Sequence, residues 1–343
     1  MADGQPDFVH AMKELNAPTP HPWTYGEKPL PPCSRVLAML FLYPLLLLLF
    51  PVRLLLFLFS CLLSWLCCFV GGWSPTFVMV THRIIGRMLF VAMGVWPGML
   101  RVKGKLDRAA PVLVIGPHQG VYDALMIMTV ARAPRPIALA HWAKLPLAAP
   151  AFRAFGGIVV NVSAATSKAS VAKVVPVPSE SSTEAEAAAA PAPSATSSTR
   201  QAIVEHKRGF KAGEKPICLF PEGTTSNGRA LLQFFSGAFE CAATLESGAV
   251  QPIVVTYPYR HFHPAAFLES APVHIARALL TPWQAVRVQI LPLVTPTKAE
   301  AADSALYAEN VRKLMAEAAG LPLSAYDARA LRKEWRDGDK PAT

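Results

Sequence analysis

The sequence predicts an α/β domain joined to an apolar membrane segment, and three stretches carry that prediction. Val112-Leu-Val-Ile-Gly116 is apolar, rich in β-branched residues and bounded by Pro111 and Gly116, which reads as a buried strand. It stops at the turn signal Gly116-Pro117, and a helical run from Ala124 to Val130 follows. A second short apolar strand, Ile217 to Phe220, ends in a turn crowded with small and hydroxyl residues, Pro221 to Gly228. The third stretch, Val36 to Val70, is almost entirely apolar and far longer than a core helix requires.

A strand that ends in a turn and opens a helix is where α/β proteins usually keep their chemistry. His118 and Asp123 lie at the first of these turns, five residues apart. Inside one ideal helix that spacing leaves them about 140° apart in direction. They converge only if His118 sits on the turn, before the helix begins. A His beside a carboxylate is a general base whose tautomer and orientation are fixed by its partner. The alternative for this pair alone is a His satisfied at a helix start and an unrelated Asp. The second turn, Phe220-Pro-Glu-Gly-Thr-Thr-Ser-Asn-Gly228, offers hydroxyls and free backbone N–H groups suited to cradling a phosphate or other anion.

His-x4-Asp after one strand and Phe-Pro-Glu-Gly-Thr after a later strand together resemble the glycerophospholipid acyltransferase family. Within it the chain is most similar to the lysophosphatidylcholine and lysophosphatidylethanolamine acyltransferase branch. Pro117-His118, Glu222-Gly-Thr-Thr, Ser236-Gly-Ala-Phe239, Val250-Gln-Pro-Ile-Val-Val255 with Tyr257-Pro258, and Ala305-Leu-Tyr-Ala-Glu-Asn-Val311 carry the likeness. It runs from about Trp73 to Tyr326, apart from one insertion. The resemblance implies a central mixed β-sheet flanked by helices, and acyl transfer from acyl-CoA to a lysophospholipid with no further cofactor and no metal.

In that reading His118 takes the proton of a glycerol hydroxyl and Asp123 holds the imidazole. Glu222, Gly223, Thr224 and Thr225 position the glycerophosphate or support the loop that does, and backbone N–H groups near Gly120 are candidate oxyanion donors. Two departures concern the acceptor. Members that prefer lysophosphatidic acid often carry Arg where Thr225 stands, and many finish the second motif with Arg where Asn161-Val162-Ser163 stands here. Lys144, Arg153 and Arg229 lie near the motifs in sequence and offer replacement charge. Lysophosphatidic acid, giving phosphatidic acid, is therefore the first expected acceptor, with lysophosphatidylcholine and lysophosphatidylethanolamine second. A lipid hydrolase would need a nucleophile elbow, and no Gly-x-Ser-x-Gly occurs. A non-catalytic lipid-binding protein would not need His118, Asp123 and Glu222 together.

Composition agrees with a membrane enzyme. Of the 343 residues 52% are hydrophobic and 16% charged, with a net charge of +10. No nucleic-acid motif accompanies that charge, so a membrane surface, bilayer or lipid-droplet monolayer, is the expected partner rather than nucleic acid. The six cysteines match neither a disulfide framework nor a zinc site. Cys67-Cys68 is a candidate for palmitoylation, beside the simpler reading of buried apolar cysteine.

In chain order, residues 1–35 form a polar, Pro-rich segment whose length and charges argue against a cleaved signal peptide. Residues 36–70 are the membrane segment. Pro51-Val-Arg53 divides it into two short pieces, which favours a re-entrant hairpin over a kinked span. The basic excess that follows, from Arg83 to Arg108, predicts a cytosolic catalytic domain on the endoplasmic reticulum. The acyltransferase domain is expected over 71–326. Its strands are Leu100 to Val102, Pro136 to His141, Gly156 to Asn161, Val250 to Thr256 and Ala285 to Leu291. Residues 164–199 form an insertion, with a short extended piece at Val171 to Val177 and Ser/Thr/Ala/Pro-rich low complexity after it.

Helices are expected at Gln201 to Lys211, at Ser236 to Glu246 and at Asp303 to Ala319. The last would bury Leu306, Val311, Leu314, Met315 and Ala318, with Gly320 as its stop. His261-Phe262-His263 has a metal-like look without a carboxylate or Cys partner at useful spacing, and reads as a loop. Residues 327–343 are a charged tail, either a surface helix or frayed.

Overall fold

The computed structural model describes residue 22 and residues 32–70, 75–131, 134–139, 149–162, 172–175, 195–241, 244–258, 264–265 and 271–337. Eight strands form one mixed sheet in the order β1-β8-β7-β2-β6-β3-β4-β5. They are β1 (Leu100–Lys103), β2 (Val112–Gly116), β3 (Arg135–Leu139), β4 (Ile158–Val162), β5 (Ala172–Val175), β6 (Ile217–Leu219), β7 (Gln251–Thr256) and β8 (Val286–Ile290). The centre is parallel: β2 pairs with β6 on one side and with β7 on the other. Only the β7–β8 and β4–β5 pairs are antiparallel.

β2 is buried on both faces, as a central parallel strand covered by helices must be. Its side chains alternate between two cores. Leu113 and Ile115 pack with Ile85, Leu89, Met93 and Met126, while Val112 and Val114 pack with Leu231, Phe239, Tyr307 and Met315. The first core is roofed by α3 (Pro75–Ala92) and α4 (Val121–Val130), the second by α9 (Ser304–Ala319).

The apolar N-terminal segment is not a hairpin. After a short helix, α1 (Pro32–Leu37), and one π turn, Ala38–Leu42, it forms a single helix, α2 (Tyr43–Val70), that runs through Pro51. Residues Ala38–Cys68 are long and apolar enough to cross a membrane by length and composition. Pro51 removes one backbone hydrogen bond, which a helix of this length carries without breaking. Arg53 marks no turn either. It is buried, and its guanidinium donates to the carbonyls of Leu279 and Thr281 at 2.9 and 2.7 Å and of Pro282 at 3.3 Å. These carbonyls end α7 (Ala271–Leu279), so the residue that looked like an interruption caps another helix.

Three other expectations change. Ser236 opens only a 3₁₀ turn, Ser236–Phe239, rather than a helix to Glu246. The buried Lys207 ammonium takes the Ala238 and Glu240 carbonyls at 2.7 and 2.8 Å, the acceptors that a continuing helix would have used. Lys207 lies in α6, which begins at Ala195, inside the expected insertion, and ends at Gly209. In α9 the buried stripe is Tyr307, Val311 and Met315, with Ala308, Arg312 and Ala316 beside it. Leu306 and Leu314 are instead 41% and 38% exposed. Tyr307 and Arg312 reach inward because their polar ends find the Val294, Leu231 and Ser324 carbonyls.

Gly320 ends α9 at φ +63°, and the chain closes with α8 (Lys298–Ala302) before α9 and α10 (Ala328–Asp337) after it. A short helix, α5 (Ala149–Ala154), precedes β4. Lys144, the His261-Phe262-His263 loop and residues 176–194 of the insertion lie outside the described residues.

Candidate active site

Two strand ends meet at the site. Because β2 and β7 are parallel with Gly116 beside Val254, the turn after β2 and the residue after β7 leave the sheet together. β6 lies on the other side of β2 and ends at the Glu222 turn. His118 is on the turn, three residues before α4 begins at Val121. Its Nδ1 lies 2.7 Å from Asp123 Oδ2. The Asp123 side chain has no exposure, and that of His118 is 22% exposed.

Asp123 is the third residue of α4 and accepts from the helix N-cap, the Gly120 N–H, at 2.9 Å. The Gln119 N–H donates to the same oxygen at 2.6 Å. Its other oxygen, Oδ1, accepts from the Tyr257 hydroxyl. Asp123 is thus an acceptor from four donors. With Nδ1–H directed at Asp123, the neutral imidazole of His118 has its lone pair on Nε2. Phe220 stacks on the ring at 3.8 Å between centroids and 12° between planes, which fixes the imidazole face-on. The Gln119 and Gly120 N–H groups are occupied by Asp123, so the oxyanion donors expected near Gly120 are not these two.

Glu222 lies behind the turn. It is fully buried, and its two oxygens accept from the His118 N–H at 2.7 Å and the Leu232 N–H at 2.8 Å. Burial pushes its carboxyl up to about 8, against the two backbone hydrogen bonds, which pull it down. It touches no open surface and ties three chain segments together. The two turns are further joined by the Ser226 N–H, which donates to the His118 carbonyl at 2.8 Å. Gly228 sits at φ +67°, where a Cβ would stand 2.3 Å from the Gln119 side chain.

Gly223 is likewise forced, at φ +66° with the Phe235 ring where its Cβ would be. Its carbonyl accepts from Arg332 of α10 at 2.6 Å. Thr224, Thr225 and Arg229 are partly exposed along the same loop. The Asn227 N–H donates to the Pro22 carbonyl at 2.8 Å.

Residues 100–256 match the family model described as acyltransferase, a range that includes His118, Asp123 and Glu222. This stretch is similar to the glycerophospholipid acyltransferases. Human lysophosphatidylcholine acyltransferase 2 is 28% identical over 274 residues, covering 76% of this chain and 43% of the relative. The lysophospholipid acyltransferase LPEAT1 of Arabidopsis thaliana is 44% identical over 108 residues, covering 32% of this chain and 26% of the relative. The chain thus spans less than half the length of these curated relatives. The solved 1-acyl-sn-glycerophosphate acyltransferase PlsC of Thermotoga maritima is 18% identical, covers 79% of this chain and 99% of its own, and superposes with a TM-score of 0.46.

Sequence reasoning placed His118 and Asp123 together and grouped Glu222 with the substrate contacts. It gave no role to Tyr257 or Phe220. Tyr257 follows the buried strand β7 directly, a hydroxyl at a strand end. Its place beside Pro258 in a family-like stretch gives it no role, because its partner is 134 positions away.

Proposed function

We propose that this acyltransferase moves an acyl chain from acyl-CoA to a lysophospholipid, with His118 as general base and Asp123 as its orienting carboxylate. The observation that carries the reading is the 2.7 Å Nδ1–Oδ2 contact, which leaves Nε2 as the free basic atom on the exposed side of the dyad. Nε2 takes the proton of the glycerol hydroxyl while its oxygen attacks the thioester carbonyl. The C–S bond then breaks, and the imidazolium returns the proton to the departing CoA thiolate. No enzyme nucleophile is required, since the thioester is already activated and alignment of two amphiphiles lowers much of the barrier. In this reading Glu222 and Gly223 shape the loop, and the partly exposed Thr224, Thr225 and Arg229 face the acceptor.

The long apolar helix supports action at a membrane, where neither acyl chain has to be lifted fully into water. A catalytic domain on the cytosolic side of the endoplasmic reticulum or on a lipid droplet agrees with the basic residues after that helix. For the acceptor, the relatives' names support lysophosphatidylcholine and lysophosphatidylethanolamine. So does Thr225, which lacks the bidentate cation that suits a phosphomonoester. Lysophosphatidic acid is the second reading, favoured by Arg229 on the same loop.

The test is transfer of a labelled acyl chain from acyl-CoA by the purified full chain in mixed micelles, with the three acceptors compared at equal concentration. The choline or ethanolamine lipids are expected to rank first. Lysophosphatidic acid ranking above both reverses the acceptor assignment. No transfer to any of them, with free fatty acid released instead, turns the reading into a hydrolase.

A further inference from the structure

Among the described residues, the buried polar group nearest the dyad that the transfer chemistry leaves without a task is the Tyr257 hydroxyl. It stands on the first residue after β7, has its ring against Tyr122 at 5.8 Å, and donates to Asp123 Oδ1. Tyr122 is itself tied down, its hydroxyl donating to the Met93 carbonyl at 2.9 Å. The two oxygens of Asp123 therefore have divided duties: Oδ2 serves His118 and the turn, and Oδ1 serves Tyr257 alone among the described residues.

We infer that Tyr257 is a positioning residue that fixes the plane of the Asp123 carboxylate and, by drawing charge onto Oδ1, keeps the His118 imidazole from becoming too basic. The inference rests on the dyad assignment under the proposed function. Its physics is direct. A carboxylate beside an imidazole favours the imidazolium, and a strong donor on the far oxygen weakens that field. A base that is protonated before the acceptor arrives cannot take the hydroxyl proton. Phe220, stacked on the imidazole, favours the cation and acts in the opposite sense.

Other titratable groups surround the pair without taking the place of Tyr257. On the β6 side burial and Asp123 raise the Glu222 carboxyl and the Cys218 thiol, while Arg53 and Arg277 act on Tyr122. Burial and the neighbouring carboxylate hold the Tyr257 phenol protonated, which keeps it a donor throughout the working range.

Tyr257→Phe removes the donor and keeps the ring. The expected result is an acid limb of kcat/KM displaced upward by about 0.5–1 pH unit, since His118 must now be deprotonated at higher pH. A kcat loss of roughly 10-fold with KM values within about 2-fold accompanies it, the pattern of an interaction that serves the transition state. The same displacement is read without turnover by following the His118 ring nitrogens in ¹⁵N-histidine-labelled full chain, with His118→Ala assigning the signal. Should the proposed activity itself fail, that titration still decides the role of Tyr257. Where Tyr257→Phe does not fold, 3,5-difluorotyrosine at position 257 strengthens the donor and moves both readouts downward. A purely structural Tyr257 lowers thermal stability and leaves limb and titration in place, and that result overturns the inference.

Discussion

Two fully buried carboxylates meet the His118 turn from opposite sides, and they are dressed differently. Asp123 accepts from two side chains as well as two backbone N–H groups, and one of those side chains is partly open to solvent. Among the described residues Glu222 accepts only from backbone, one N–H on each oxygen. The first carboxylate holds a group that reaches outward. The second holds the chain that holds that group. Acidic residues at neighbouring strand ends are alike in composition, so it is their donors that separate an orienting carboxylate from a staple.

That contrast is sharpest in the expected response to removing each arm. His118→Ala or Asp123→Asn is expected to lower acyl transfer by on the order of 10²–10⁴-fold while the melting temperature moves little for His118→Ala. In Asp123→Asn the amide presents N–H groups where donors already point, so the imidazole loses its imposed tautomer. Purified variants compared by labelled-acyl transfer and thermal melting decide it. A His118→Ala enzyme with near-normal turnover breaks the assignment of the outward arm.

Glu222→Ala is expected to act on the fold first. It leaves the His118 and Leu232 N–H groups buried without acceptors, at about 1–3 kcal/mol each. Melting temperature and activity should fall together, with residual transfer recovering under conditions that restore folding, such as glycerol or lower temperature. Loss of activity in a Glu222→Ala protein that melts like the wild type would place Glu222 in the chemistry and erase the distinction.

The same contrast explains which parts of the molecule were legible in the sequence. β2, β7 and the turn after β2 carry their signals locally: apolar runs, Gly116-Pro117, and a spacing that lets His118 reach Asp123 only from outside the helix. Arg53, Glu222, Lys207 and Tyr257 are the residues whose buried partners no local pattern reveals. In each case the partner is remote in sequence, at positions 279 to 282, 118, 238 to 240 and 123 respectively. Periodicity reports which face of an element is apolar. It carries no record of where a buried polar tip finds its acceptor, and the outer placement of Leu306 and Leu314 follows from two such tips, Tyr307 and Arg312. The Pro51-Val-Arg53 break failed for the same reason, since a charge in an apolar run is a boundary only if nothing folds back to meet it.

The last expected effect is in the pH dependence of stability. Burial raises the Glu222 carboxyl from 4.5 to about 8 in the folded chain. Between those values the folded state binds more protons than the unfolded state, so ΔG of unfolding falls as pH rises. The stabilising term is fully present below pH 4.5 and lost progressively as pH approaches 8 and passes it. Glu222→Gln removes the titration while keeping one acceptor oxygen. It should be less stable than the wild type at pH 5 and close that gap by pH 8. Melting both proteins in one buffer series at fixed ionic strength reads the difference of slopes directly, free of every other titrating group. A gap that stays constant across the window shows that Glu222 does not titrate there. The backbone donors then outweigh burial, since a carboxyl held below its unfolded value is already ionised in both states over this range.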